Sequence, residues 1–169
     1  MVTWREAVPS DAAAEMLLDQ YFTTRALDFP GGAEAYHRAQ PRDADFTAPR
    51  GVMLIVEYEN LGGEPADVGI GGVRRIDDGE LGARFELKHL WVQPHARRLG
   101  LGRALVLELQ RRAAEFGARE LVLDTHVAQR EAAALYESLG FVPVEPFNDN
   151  PNANAWLGRV IDERPARRD

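Results

Sequence analysis

Cysteine is absent from all 169 residues. Disulfides, thiolate metal sites and a cysteine nucleophile are therefore excluded. The four histidines are scattered without metal-ligand spacing, so no metal is expected. No apolar run is long enough to span a bilayer, and Met1 to Asp11 lacks the basic-then-apolar layout of a signal peptide. Positive charge is in deficit, with a formal net charge of −7 at pH 7. A broad nucleic-acid surface needs clustered Lys and Arg, so nucleic acid is not an expected partner. The same balance permits a small basic pocket and favours a cationic ligand such as an amine, although it also simply aids solubility. These absences predict a cytoplasmic protein that does not bind membranes; its assembly, a homodimer included, is left open.

What is present suits one domain over residues 1–169, with 45% hydrophobic residues to build its core. Thr3 to Ala7 reads as a strand. Pro9-Ser10-Asp11 opens a helix with Ser10 as its N-cap. Ala14, Leu17, Leu18 and Tyr21 form one helical face, and Pro30-Gly31-Gly32 ends it. A shorter helix is predicted over Ala33 to Ala39. Three strands come next, at Val52 to Tyr58, Asp67 to Ile76 and Arg84 to Val92. Asp77-Asp78-Gly79 is the predicted turn between the last two, and short connections make the three an antiparallel meander. Gly102 to Phe116 is a helix, Leu121 to Thr125 a buried strand, Gln129 to Leu139 a helix, and Phe141 to Val144 a strand. A last strand lies near Ala155 to Val160, inside a tail over 145–169. The order is that of an α+β sheet with helices on its faces.

Leu90 to Arg103 carries the most chemistry. A strand ends at Val92, a basic loop with two glycines comes after it, and a helix begins. Loop amides and the first helical N–H groups lack internal partners there and converge at the positive end of the helix dipole, an anion site. Gly100 and Gly102 let a phosphate approach the backbone, and Arg97, Arg98 and Arg103 add forked donors. No Gly-Lys-Ser/Thr is present, which excludes a P-loop. The glycines are not spaced as G-x-G-x-x-G, which excludes a dinucleotide fold.

An apolar strand, then Arg/Gln-x-x-Gly-x-Gly/Ala, then a helix is the acetyl-CoA motif of the GNAT-type N-acetyltransferases. Leu90-Trp91-Val92-Gln93-Pro94 and Arg97-Arg98-Leu99-Gly100-Leu101-Gly102 resemble it. A second signal of that family is an Asn-x-x-Ala-x-x-Leu-Tyr helix ending in Leu-Gly-Phe. The segment Gln129 to Phe141 is similar to it, with Gln129 in place of the usual Asn. The strand Glu86 to Val92 and the tail Pro146 to Pro151 are similar to one branch of the family. The resemblance spans roughly Val2 to Val144. It implies a mixed, mostly antiparallel central sheet of roughly six or seven strands flanked by about four helices. It also implies acetyl-CoA as co-substrate, without a metal.

The implied reaction is attack of a primary amine on the thioester of acetyl-CoA. A base must deprotonate the amine, a donor must hold the oxyanion, and an acid assists the thiolate. By family position Tyr136 is the expected acid and Glu86 the water-mediated base. His126 and His89 are the next candidates for the base. The backbone of Leu90, Trp91 and Val92 is expected to bind the pantetheine arm, with the Val92 N–H at the oxyanion. The remaining cofactor contacts are expected from Arg97 to Arg103 and from Gln129. The acceptor, a small-molecule amine or a peptide, is expected among the helices before Arg50, the glycine-rich strand at Gly69 to Gly72, and the tail at Phe147, Asn148 and Asn150. Tyr21, Tyr36, His37 and Trp156 are candidate lining. The competing reading is a CoA-binding sensor or interaction module without catalysis.

Overall fold

Strand order in the computed structural model, which describes residues 1–161, is β1-β2-β3-β4-β5-β7-β6 in a single sheet. The strands are β1 (Thr3–Ala7), β2 (Gly51–Glu59), β3 (Pro65–Gly79), β4 (Gly82–Val92), β5 (Glu120–Thr125), β6 (Val142–Pro143) and β7 (Ala155–Val160). Every pairing is antiparallel except β4 with β5. Three α-helices, α1 (Ala12–Asp28), α2 (Leu101–Glu115) and α3 (Arg130–Ser138), cover the faces. No helix among the described residues is long and apolar enough to cross a membrane.

Val52–Val56 is an unbroken apolar run because both sides of β2 are covered. Met53 and Ile55 pack with Leu17, Leu18 and Phe22 of α1. Val52, Leu54 and Val56 face Leu105 and Leu109 of α2. The glycines of β3 serve these contacts. A Cβ on Gly72 would lie 2.6 Å from the Phe46 ring, and one on Gly71 would press on Leu105 and Leu109 at 3.1 Å. Close helix–sheet approach explains them.

Several expectations are corrected. Ser10 does not cap α1; its hydroxyl and amide both bond Asp43, and Asp11 holds the N-cap position without a side-chain capping bond. The helix predicted over Ala33 to Ala39 is a single 3-10 turn, Ala33–Ala35, too short between Gly31-Gly32 and Pro41 to propagate. The turn placed at Asp77-Asp78-Gly79 lies at Glu80-Leu81, because β3 continues through Gly79 to pair with Gly82. The tail forms β7 as expected, and residues 162–169 lie outside the described residues.

Two irregularities in β4 shape the middle of the sheet. Ile70 pairs with Trp91 and Gly72 with Lys88, so Gly71 alone opposes both His89 and Leu90. This β-bulge puts His89 at φ 57°. Uninterrupted alternation would put Leu90 with Glu86, Lys88 and Val92 on one face, and Leu87, His89 and Trp91 on the other. Instead Leu87 and Leu90 both pack on the α2 side, while His89 turns to Tyr21 and Phe22 of α1. In addition, β4 pairs with β5 only from Arg84 to Glu86. Beyond Glu86 the two strands part.

Candidate active site

The parting of β4 and β5 opens a cavity of about 440 Å³ that draws its walls from both faces of the sheet. Tyr21, Phe22 and Arg25 of α1 line one side, and Gln129, Ala132 and Tyr136 line another. The last three stand at i, i+3 and i+7, one face of α3 extended by its N-cap.

The β4 edge along this opening is free for a ligand. The Gln93 N–H donates to Val68 O on β3. Strand alternation then aims the Val92 N–H at the opposite edge, where no strand pairs. The Val92 carbonyl accepts from Arg97 Nε at 2.9 Å, and the Arg97 guanidinium lies 4.7 Å from the centre of the Trp91 ring. Trp91 in turn donates to Gln20 of α1. Arg97 and the Trp91 side chain thus fix the strand end.

After a 3-10 turn at Pro94–Ala96 the chain enters the glycine loop. Arg98 (φ 62°) and Gly100 (φ 78°) are left-handed. Among the described residues the first amide of the helix to find a partner is Ala104, on Gly100 O. The amides of Arg98 to Arg103 have none among the described residues, an anion cradle at the N-terminus of α2. Arg98 is strongly exposed, 3.9 Å from Glu131, and Arg103 reaches Ser138 at 3.4 Å. Leu99 is exposed, while Leu101 is buried in the core.

Tyr136 is buried, with its ring edge-on to Phe141. Burial pushes its phenol well above the usual tyrosine range, Tyr21 and Asp124 adding to the shift and Arg25 opposing it. It therefore keeps its proton at any ordinary pH. Glu86 is 1% exposed and does not line the cavity. Arg74 grips its Oε1 at 2.9 and 3.1 Å, and Lys88 stands 3.6 Å from the same oxygen. Asn148 reaches its Oε2 at 3.4 Å.

Asp124 on β5 went unremarked in the sequence. Its carboxylate does line the cavity, held by Asn148 at 2.6 Å and Asn150 at 3.1 Å, with Lys88 3.9 Å away. Asn148 therefore bridges Asp124 and Glu86. A lone acid inside the apolar run Leu121 to Thr125 was the available signal. Arg25 was missed too, although it falls four residues after Tyr21 on the same stripe.

The candidate bases separate. His89 is buried among Tyr21, Phe22 and Phe46 with Nδ1 unpartnered, and burial, then Lys88 and Arg74, lower its pKa to about 3. It is neutral but nearly without basicity. His126 bonds Asn154 and the Ala128 amide and lies outside the cavity.

Of the predicted acceptor lining, Tyr21, Tyr36, His37, Asn148 and Asn150 do face the cavity. Trp156, Phe147 and the glycines of β3 do not; Trp156 donates to Asn148, and Phe147 lies under Arg84. Asn152, buried, clasps the His37 backbone through both ends of its side-chain amide: Nδ2 donates to His37 O at 2.6 Å and Oδ1 accepts from the His37 N–H at 2.9 Å. Two loops that line the cavity are joined by this clasp.

The model of the acetyltransferase (GNAT) family matches residues 13–141. An uncharacterised N-acetyltransferase of Schizosaccharomyces pombe is 31% identical over 146 residues, 86% of this chain and 85% of that protein. Human N-acetyltransferase 8 is 41% identical over 75 residues, which is 44% of this chain and 33% of that protein. Among solved structures, a GNAT-family acetyltransferase from Staphylococcus aureus superposes with a TM-score of 0.68 at 16% identity, covering 96% of this chain and 100% of that one. The ribosomal-protein-S18-alanine N-acetyltransferase of Escherichia coli gives 0.61 at 21% identity, covering 99% and 98%. The structural matches speak for the fold alone.

Proposed function

This chain belongs to the acetyltransferase (GNAT) family, and from that premise we propose that it transfers an acetyl group from acetyl-CoA to a primary amine of a small molecule in a ternary complex. The observation that carries the reading is the free β4 edge at Leu90–Val92, which leads from the cavity shared by Leu90 and Tyr136 towards the loop whose amides, Arg98 to Arg103, have no partner among the described residues. The amides and the α2 dipole suit the pyrophosphate, with Arg98 and Arg103 adding charge. Arg97, Leu99, Leu101 and Gln129 shape or border this path, and Gly100 and Gly102 let the anion come close. The pantetheine arm would continue β4 by pairing with its edge, which brings the thioester to the Val92 N–H.

The amine nitrogen then attacks the carbonyl carbon, the Val92 N–H holds the oxyanion, and the C–S bond breaks as Tyr136 gives its proton to the leaving sulfur. The amine's proton leaves through water towards the linked acids Asp124 and Glu86. Asp124 presents the carboxylate at the wall, and Glu86 stands behind it through Asn148. The clasp between Asn152 and His37 ties together two of the loops that line the cavity, which suits a small acceptor. The reading is tested by Tyr136→Phe. It should lower kcat by about a hundredfold while acetyl-CoA affinity, measured by calorimetry, stays within about twofold. Unchanged kcat under conditions where chemistry limits the rate removes Tyr136 from the mechanism.

A further inference from the structure

The charge around the cavity runs against the charge of the whole chain. Arg25, Arg38, Arg74 and Lys88 line it, against one carboxylate among the described residues, that of Asp124, with Glu86 behind the wall. A chain of net charge −7 gathers an excess of cations here. Three of the four have acidic partners: Arg38 meets Asp19, Arg74 meets Glu86 and Asp45, and Lys88 stands between Glu86 and Asp124. Arg25 has no acidic partner among the described residues. Its guanidinium carbon is 5.8 Å from the centre of the Tyr36 ring, and its Nε is buried without a hydrogen-bond partner.

A buried donor without a partner is costly, more so when it belongs to a charged group. Packing alone would be served by an aliphatic residue on this stripe of α1. A guanidinium aimed into a cavity, with its fork of donors, matches the geometry of a carboxylate. Asp124 on β5, which lines the same cavity, provides a place for an ammonium group, its orientation fixed by Asn148 and Asn150.

We infer that the acceptor is a small amino acid, a molecule that carries a carboxylate as well as the reacting amine, and that Arg25 binds the carboxylate while Asp124 receives the ammonium. This rests on the transferase reading above and specifies its substrate class. The overall negative charge of the chain favours a cationic ligand, and the amine satisfies that preference. Arg25, lacking an acid of its own, adds the carboxylate.

The test is acetyl-CoA-dependent thiol release with free amino acids, each run beside its carboxamide and its decarboxylated amine. For the preferred acid, kcat/KM should exceed that of its carboxamide by at least about tenfold, the value of a charge-assisted hydrogen bond. In Arg25→Gln the ratio should fall towards one, through KM more than kcat, and Arg25→Lys should restore part of it. The wild-type comparison needs no variant, and thermal melting checks that each variant folds. Equal or faster turnover of the carboxamides and plain amines, or an unchanged ratio in Arg25→Gln, overturns this inference and leaves the transferase reading standing. No thiol release with any amine overturns both.

Discussion

Tyr136 and His89 show how burial sets opposite roles for two titratable side chains on one cavity. Burial keeps the Tyr136 phenol protonated, which suits an acid. Burial keeps His89 neutral by lowering its pKa to about 3. The second shift is also a statement about stability. The unfolded chain takes up a proton at histidine near pH 6.5, while the folded site refuses it until about pH 3. Stability from this group is thus present above pH 6.5 and is lost as pH falls towards 3. Between pH 6.5 and 5, above most carboxylate titration, His89 should account for a loss on the order of 2 kcal/mol. Asparagine tolerates the positive φ of this position. Denaturant melts of His89→Asn should show lower stability overall but a flatter slope across that window. A slope equal to wild type would mean that His89 is not shielded. At this scale the sequence was only partly legible. Tyr136 and Glu86 could be picked out by resemblance, whereas Asp124 and Arg25 looked like ordinary members of a strand and a helix. Their importance comes from tertiary neighbours, Asn148 and Asn150 in one case and a missing acid in the other.

Elements govern access to the site. The positive φ at Gly100 starts α2 with its amides turned outward. Valine is strained there, by roughly 1–2 kcal/mol, and would reshape the cradle. Gly100→Val should therefore lower the melting temperature and weaken acetyl-CoA binding by at least about tenfold by calorimetry, since even a loss of about 1.4 kcal/mol has that effect. Retained affinity would contradict the placement of the pyrophosphate. The loop clasp makes a different prediction. Asn152→Ala removes both bonds to the His37 backbone and should cost about 1–3 kcal/mol in denaturant melts. It should also raise KM for the acceptor more than for acetyl-CoA, because the loosened loops line the acceptor side. Strand positions were the most readable part of the chain: Thr3–Ala7 and Ala155–Val160 have the expected bounds. The β4 bulge was not readable, because His89 is an unremarkable residue in an alternating run and only the register with Gly71 creates the kink. The parting of β4 from β5 was equally hidden, since it arises from how two distant segments diverge.

For the whole molecule the significant contrast is between a net charge of −7 and two small basic places, the α2 turn and the cavity. The turn is exposed at Arg98, so its attraction for a phosphate is open to screening. Acetyl-CoA affinity should fall as ionic strength rises, despite the acidic chain. An affinity independent of salt would argue against Arg98 and Arg103 as contacts. The sheet opening, the anion turn and the Tyr136 wall are brought near one another because the seven described strands form one sheet, so transfer depends on their joint action. Thiol release from acetyl-CoA, followed with and without a panel of small primary amines, tests it most directly. Release should depend on the amine, with the acetylated amine appearing by mass spectrometry in equal amount. Failure of acetyl-CoA to bind, or binding with no amine-dependent release, would contradict it, and the second outcome would point to a CoA-binding module without catalysis.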